Sequence, residues 1–368
     1  MAFDSVFGQD RVKRIITSSL DKNRLAHAYL FHGPPGVGKD ALAISVAMHL
    51  NCKEKRNGGC GACPSCHSIQ NLVHANFRLI LPVPTRPKAM KEEKYLEILH
   101  ERAVQRMTNA YQQVSYLPEI SALPVIGIDQ IRTMKQEMML KVSGEGYRLF
   151  LISHADMLTL SASNSLLKIL EEPPSGNMLI LTTSNPGQLL ETIVSRCQVV
   201  RFHPLLEEEI EEALIKRWSV PKDKAGFIAK MSGGSLQRGL QFMDEGFDQL
   251  RETAVAFLDS SMGEDALQRM EGVDALLSGR ERQEIQGILH VLQIWIRDLY
   301  QMKLGFPKRV MNMDRADTMH QFLQKWPAFR AESGIKSVER AIDFVEKNVY
   351  LDLIIFSLCQ ELNQCNHS

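Results

Sequence analysis

The sequence has no excess of charge: 43 Lys and Arg stand against 43 Asp and Glu in 368 residues. No global field then draws the chain to nucleic acid or to an anionic membrane, so any contact with DNA is local or made through partners. Long apolar runs are missing as well. The longest late ones, such as Leu353 to Cys359, fall far short of the ~20 residues a membrane span needs. The segment Met1-Ala-Phe-Asp-Ser-Val-Phe-Gly-Gln-Asp10 lacks a basic stretch followed by an apolar one, so no secretory signal and a cytoplasmic location are expected. Cysteine is scarce, seven in all, yet four of the seven crowd one short segment.

Those four, Cys52, Cys60, Cys63 and Cys66, follow a C-x7-C-x2-C-x2-C pattern among Gly58, Gly59, Gly61 and Pro64. Four thiolates on a short, turning segment are what a closed tetrahedral zinc site needs. With no secretory signal, disulfide bonding is the weaker reading. Structural Zn2+ is therefore expected there, and Cys197, Cys359 and Cys365 are assigned no metal.

A chain of this length exceeds what one core usually supports, so two or three domains are expected. Short apolar runs alternate with helical patterns through the first half: Ala28–Phe31, Phe77–Leu81, Arg148–Ile152, Met178–Thr183 and Val199–Phe202. That rhythm predicts an α/β domain with a parallel sheet covered by helices on both faces, over residues 1–203. Residues 85–124 interrupt it with a charged segment and a Tyr/Gln-rich stretch, read as a helical, surface-exposed insertion. It is either a solvated decoration or a partner-docking element. After Pro204 only helical periodicity remains, predicting a small helical module over 204–247 and an all-α unit over 248–368. In the latter, Ile285, Ile288, Leu289, Leu292, Trp295, Ile296 and Leu299 form one apolar stripe, with Gln293, Arg297 and Asp298 off it. A last helix is expected over Ile342–Phe356, its wide apolar circumference fitting either an inter-subunit interface or core packing.

Gly33-Pro-Pro-Gly-Val-Gly-Lys39 follows the first strand and opens a helix, the context of a phosphate-binding loop. Gly33, Gly36 and Gly38 let backbone N–H groups turn inward on a phosphate chain, and Lys39 adds positive charge. The parts that would make this a hydrolytic site are missing. Where such loops carry a Ser or Thr to hold magnesium stands Asp40, whose carboxylate would repel a triphosphate unless a metal intervened. Where an Asp-Glu pair would end the strand after Leu149-Phe-Leu-Ile152 stand Ser153 and His154. ATP or ADP bound without hydrolysis, or an empty relic, both remain open on these residues.

Several motifs resemble one family. Phe7-Gly-Gln-Asp10, Ala26-His-Ala-Tyr-Leu30, the four cysteines after the first helix, Asn164-Ser-Leu-Leu-Lys-Ile-Leu-Glu-Glu-Pro-Pro174 and Leu190-Glu-Thr-Ile-Val-Ser-Arg-Cys197 are similar to the subunits of the bacterial DNA polymerase III clamp loader, an AAA+ assembly that opens the sliding clamp and places it on primed DNA. The resemblance is carried by residues 1 to about 240. It implies an AAA+ P-loop domain, a helical lid over 204–247 and a collar over 248–368 that holds a hetero-pentameric ring. The implied partners are gamma/tau-like ATPase subunits and delta, with the sliding clamp and primed DNA reached through the complex.

Within that family, Asp40, Ser153, His154 and Val125-Ile-Gly-Ile-Asp-Gln-Ile-Arg132 side with the delta prime type, which keeps a decayed site. So does Gln237, with Arg238 after it, where the motor has an Arg that senses the γ-phosphate. The resemblance implies that Arg196 of Ser195-Arg-Cys197 reaches the γ-phosphate held by a neighbouring subunit. The plainer alternative is an ion pair with a nearby carboxylate such as Glu191. Thr183 or Ser184 occupies the family's γ-phosphate sensor region. The competing function is a gamma/tau-like ATPase motor whose magnesium and water are handled by Asp40 and Asp156.

Overall fold

The computed structural model describes residues 3, 6–22, 24–54, 58–111, 124–142, 147–244, 246–280, 282–347 and 349–367. They divide into two compact units, residues 1–237 and 238–368.

In the first unit β1 (Ala28–His32), β2 (Phe77–Ile80), β3 (Arg148–Ile152), β4 (Asn177–Thr183) and β5 (Gln198–Arg201) match the five apolar runs to within a residue at either end. They form one sheet in the order β2-β3-β4-β1-β5, with every neighbouring pair parallel. Parallel strands need crossovers, and the intervening helices supply them: α1 (Asp10–Asp21), α2 (Lys39–Asn51), α3 (Pro64–Gln70), α4 (Glu92–Thr108), α5 (Ile128–Met138), α6 (Leu160–Glu171) and α7 (Glu191–Val194). α8 (Glu207–Trp218), α9 (Lys222–Met231) and the start of α10 (Leu236–Asp244) complete this unit. Every residue of β3 and β4 is buried, whereas the edge strand β5 buries only Val200. Continuous burial is why the inner strands read as unbroken apolar runs. Leu30, Phe150, Ile152 and Leu181 pack with Ile131 of α5 and Leu166 of α6. Each such side chain contributes about 1.5–3 kcal/mol by leaving water.

α2 is buried from Lys39 through Ala47, as its all-round apolar sequence predicts. Within the insertion residues 92–108 are helical (α4), but it is not purely surface: Ile98, Arg106, Met107 and, just past the helix, Tyr111 are buried. Its remainder, residues 112–123, which holds most of the Tyr/Gln-rich stretch, lies outside the described residues.

The second unit contains α11 (Phe247–Met262), α12 (Ala266–Leu277), α13 (Arg282–Lys303), α14 (Ala316–Lys325), α15 (Ala331–Glu346) and α16 (Leu351–His367), with no strand among its described residues. The seven stripe residues of α13 are all buried, and α13 packs on α11 and α15. Asp298, expected at the polar side, is fully buried instead. Its carboxylate accepts from the Met311 N–H (2.9 Å), the Asn312 N–H (2.8 Å) and Asn312 Nδ2 (2.7 Å), which offset its loss of water. The single helix expected over Ile342–Phe356 is two. The Lys347 N–H closes onto the Asp343 and Val345 carbonyls, and α16 restarts at Leu351. An unbroken helix would turn Ile342 and Ile354 about 120° apart, while both are buried here. The break leaves Tyr350 and Leu353 74% and 63% exposed.

Because all five strands run one way, their C-terminal ends share an edge of the sheet. The loop after β1, Ser153 after β3 and Thr182–Thr183 at the end of β4 meet there, where ligands bind in open parallel sheets.

Candidate functional site

The Gly33–Lys39 loop leaves β1 and returns into α2 through Gly36 (φ 74°) and Gly38 (φ 96°), left-handed conformations that side chains resist. Gly38 has a second constraint: a Cβ there would stand 2.8 Å from the Tyr111 hydroxyl. The Phe7-Gly-Gln-Asp motif braces the base of the loop. Gln9 Nε2 donates to the His203 carbonyl (2.6 Å) and to that of Val37 (3.4 Å).

Lys39 folds back on its own loop, Nζ donating to the carbonyls of Gly33 (2.7 Å) and Pro34 (2.6 Å) and to Ser184 Oγ (3.1 Å). Burial, seconded by Arg106 and opposed by Asp40 and Asp156, pushes its amine down to about 8. An unfolded lysine titrates near ~10.4, so between the two values the unfolded chain binds more protons and this group adds stability as pH rises. An NMR titration of Lys39 Cε is expected to give a midpoint near 8; a midpoint near ~10.4 would contradict the burial of this amine.

Asp40 is 3% exposed and saturated by hydrogen bonds. Its Oδ2 accepts from Arg106 Nε (2.9 Å), Arg106 Nη2 (2.5 Å) and Ser153 Oγ (2.5 Å), and its Oδ1 from Thr182 Oγ1 (2.6 Å). Burial alone would raise its pKa, but the Arg106 guanidinium, with His154 and the two hydroxyls, holds the carboxyl far below the usual range. Asp40 is an anion, and its counter-charge comes from α4. His154, at φ 54°, is kept below its ordinary pKa by burial and by Arg106. Asp156 accepts from Thr183 Oγ1 (2.6 Å). Residues Gly36, Gly38, Lys39, Asp40, Arg106 and Ala110 are among those lining a cavity of only about 30 Å³. That is room for about one water.

The four cysteines gather between α2 and α3, their Sγ atoms all within 4.8 Å of one another. Cys60 and Cys66 Sγ lie 3.9 Å apart, close to the roughly 3.8 Å edge of a tetrahedron with 2.3 Å metal–sulfur bonds. The Cys63 N–H points at Cys60 Sγ (3.2 Å) and the Cys66 N–H at Cys63 Sγ (3.5 Å), contacts that favour thiolates. The cluster can hold a metal ion such as zinc.

Arg196 stands apart from the loop. It immediately precedes Cys197 and β5, and β5 starts level with Tyr29 and ends level with His32. The Phe202 N–H, bonded to the His32 carbonyl at 2.7 Å, marks the height of the loop. From Gln198 to Phe202 the strand climbs roughly 13 Å, so Arg196 sits at the opposite edge of the sheet from this chain's own phosphate loop. Its side chain is 35% exposed and bonds Glu171 Oε1 (2.8 Å, Nη2) and the Thr192 carbonyl (3.0 Å, Nη1). The pairing carboxylate is Glu171, at the end of α6, rather than Glu191.

Arg106 and Tyr111 are the site residues that sequence reasoning missed. The one available signal was that Asp40, if buried beside a phosphate loop, requires a cation.

The sequence matches the family described as DNA polymerase III, delta subunit, over residues 8–206, more than half of the chain. The DNA polymerase III subunit delta' of Bacillus subtilis is 33% identical over 225 residues, covering 61% of this chain and 56% of its own length. DNA polymerase III subunit tau of the same organism is 27% identical over 249 residues, 66% of this chain and 37% of its own. The gamma/tau subunit of Mycobacterium tuberculosis is 28% identical over 290 residues, 74% and 43%. The chain thus spans about half the length, or less, of these relatives. Among solved structures, a DNA polymerase III gamma subunit-related protein of Thermotoga maritima aligns with a TM-score of 0.41 at 14% identity, over 97% of this chain and 99% of that one. No helix among the described residues is long and apolar enough to cross a membrane. With the phosphate loop on a parallel five-stranded sheet and a match that runs across the whole of that sheet, this chain belongs to the DNA polymerase III delta-subunit family.

Proposed function

We propose that this chain serves as a delta prime-type subunit of the clamp loader in DNA replication: a cytoplasmic scaffold that hydrolyses no ATP itself and lends Arg196 to an adjacent ATPase subunit. The observation that carries the reading is the position of Arg196. It is 35% exposed at the far edge of the sheet from its own loop, too distant to serve a nucleotide of this chain and open to a subunit docked at that edge. An arginine supports such a role because its planar guanidinium stays charged and binds two phosphate oxygens at once.

The chain's own site lacks what turnover requires. Ser153 and His154, not carboxylates, directly follow β3, and Asp40 and Asp156, on which a motor reading depends, are taken up by Arg106, Ser153, Thr182 and Thr183. Gamma/tau-like ATPases and delta are the proposed neighbours in a hetero-pentameric ring, with the sliding clamp and primed DNA engaged through the complex. Residues 204–247 are assigned as lid and 248–368 as collar, with the exposed Tyr350, Leu353 and Phe356 offering the collar an apolar assembly face. The test is reconstitution. Mixing this chain with a gamma/tau-type subunit is expected to give a stable complex with faster ATP turnover than the motor alone; failure to associate contradicts the reading.

The four cysteines are proposed to hold one structural Zn2+, tying the turn after α2 to α3, with no part in chemistry. Elemental analysis is expected to find one zinc per chain. Chelation, or Cys66→Ser, is expected to lower the melting temperature by roughly 10 °C. An unchanged melting temperature in metal-free protein would contradict a structural role.

A further inference from the structure

We propose that the inserted helix α4 is an internal stopper for the phosphate loop, so that the buried Arg106–Asp40 pair and a nucleoside phosphate exclude one another. This rests on the reading of the chain's own site as silent, and adds what keeps it so.

Asp40 stands where a Ser or Thr would hold magnesium, and Arg106 delivers a cation to that spot from 66 positions along the chain. The two make a forked contact at 2.9 and 2.5 Å with both side chains at most 10% exposed. The residues that follow close the opening. Ala110 lines the cavity, and the Tyr111 hydroxyl lies over Gly38 while accepting from the Phe7 N–H (2.9 Å).

Lys39, which would otherwise reach the phosphates, spends its donors on Gly33, Pro34 and Ser184. The charged and titratable groups around this point are Lys39, Asp40, Arg106, His154 and Asp156, and between them they neutralise one another without a ligand. A phosphate bound here would lie beside the buried Asp40 carboxylate, and the lining side chains leave only about 30 Å³ of open space for it. The backbone cradle itself is intact, with Gly36 and Gly38 in the left-handed turns that aim N–H groups inward. It is a latent site for a nucleoside di- or triphosphate, shut by a side chain of the same chain.

Calorimetric titration of the full chain with magnesium-ATP and with ADP tests this. Wild type is expected to show no binding up to millimolar nucleotide. The double variant Asp40→Thr with Arg106→Met removes both charges together, so no uncompensated ion stays buried. It is expected to gain at least tenfold in affinity, and Lys39→Ala added to it is expected to abolish that gain. A folded double variant that binds no better than wild type overturns the stopper while leaving the silent-subunit reading intact; hydrolysis by wild type overturns that reading instead. Should the double variant fail to fold, hydrogen exchange on wild type decides. Amides 36–39 are expected to exchange equally with and without millimolar ADP, and nucleotide-dependent protection there refutes the proposal.

Discussion

Replacing Arg196 with Ala is expected to lower ATP turnover of the assembled complex about 10³-fold, while the isolated chain keeps its fold. The size follows from what an arginine supplied across an interface does for a phosphoryl transition state: it neutralises charge that the site's own residues do not reach. The fold is spared because the residue's one ion pair among the described residues, to Glu171, is between groups 35% and 50% exposed, and such a pair contributes about 0–1 kcal/mol. That same bond predicts a smaller companion effect. Glu171 and the Thr192 carbonyl orient the guanidinium, so Glu171→Ala is expected to slow turnover several-fold, and to add nothing once Arg196 is gone. Unchanged turnover with Arg196→Ala would remove the reason for assigning this residue a role in trans.

Arg106→Ala alone should cost about 3–5 kcal/mol of stability, because it leaves the buried Asp40 carboxylate without its counter-charge. Denaturant unfolding measures it. Asp40→Asn in the same background should recover much of the loss by removing the orphaned charge, and absence of any recovery would mean that Arg106 matters by its packing alone.

The pH dependence has a definite sign. Asp40 has a folded pKa held below the ordinary carboxylate range, so its contribution is fully present above its unfolded value near ~3.9 and fades only as pH falls below that. Stability contributed by this pair is thus expected to be flat from neutral pH down to about pH 4, and to decline beneath it.

These two residues mark the boundary between what the sequence makes legible and what it hides. The five strands could be placed to within a residue because parallel strands buried on both faces read as unbroken apolar runs, and the phosphate loop and cysteine cluster because each is contiguous. Arg106 could not. Its helix is rich in Lys, Glu and Arg, and its partner lies 66 positions away, so nothing local distinguishes it from a solvated charge. Glu171 was likewise hidden behind Glu191, which is nearer to Arg196 in sequence but not its partner in space. Asp298 looked like a surface residue for the same reason, since the Met311–Asn312 backbone that satisfies it belongs to the next turn of chain. Apolar periodicity reports burial by water exclusion, whereas a buried ion reports it only through a partner that folding supplies.

The most direct measurement is ATP hydrolysis by the purified chain alone, with magnesium, comparing wild type with Lys39→Ala. The account predicts no turnover above background for either protein, since Asp40, Ser153 and His154 leave no residue to hold magnesium or to activate water. Clear turnover in wild type that Lys39→Ala abolishes would contradict it and return the chain to the motor class of its family.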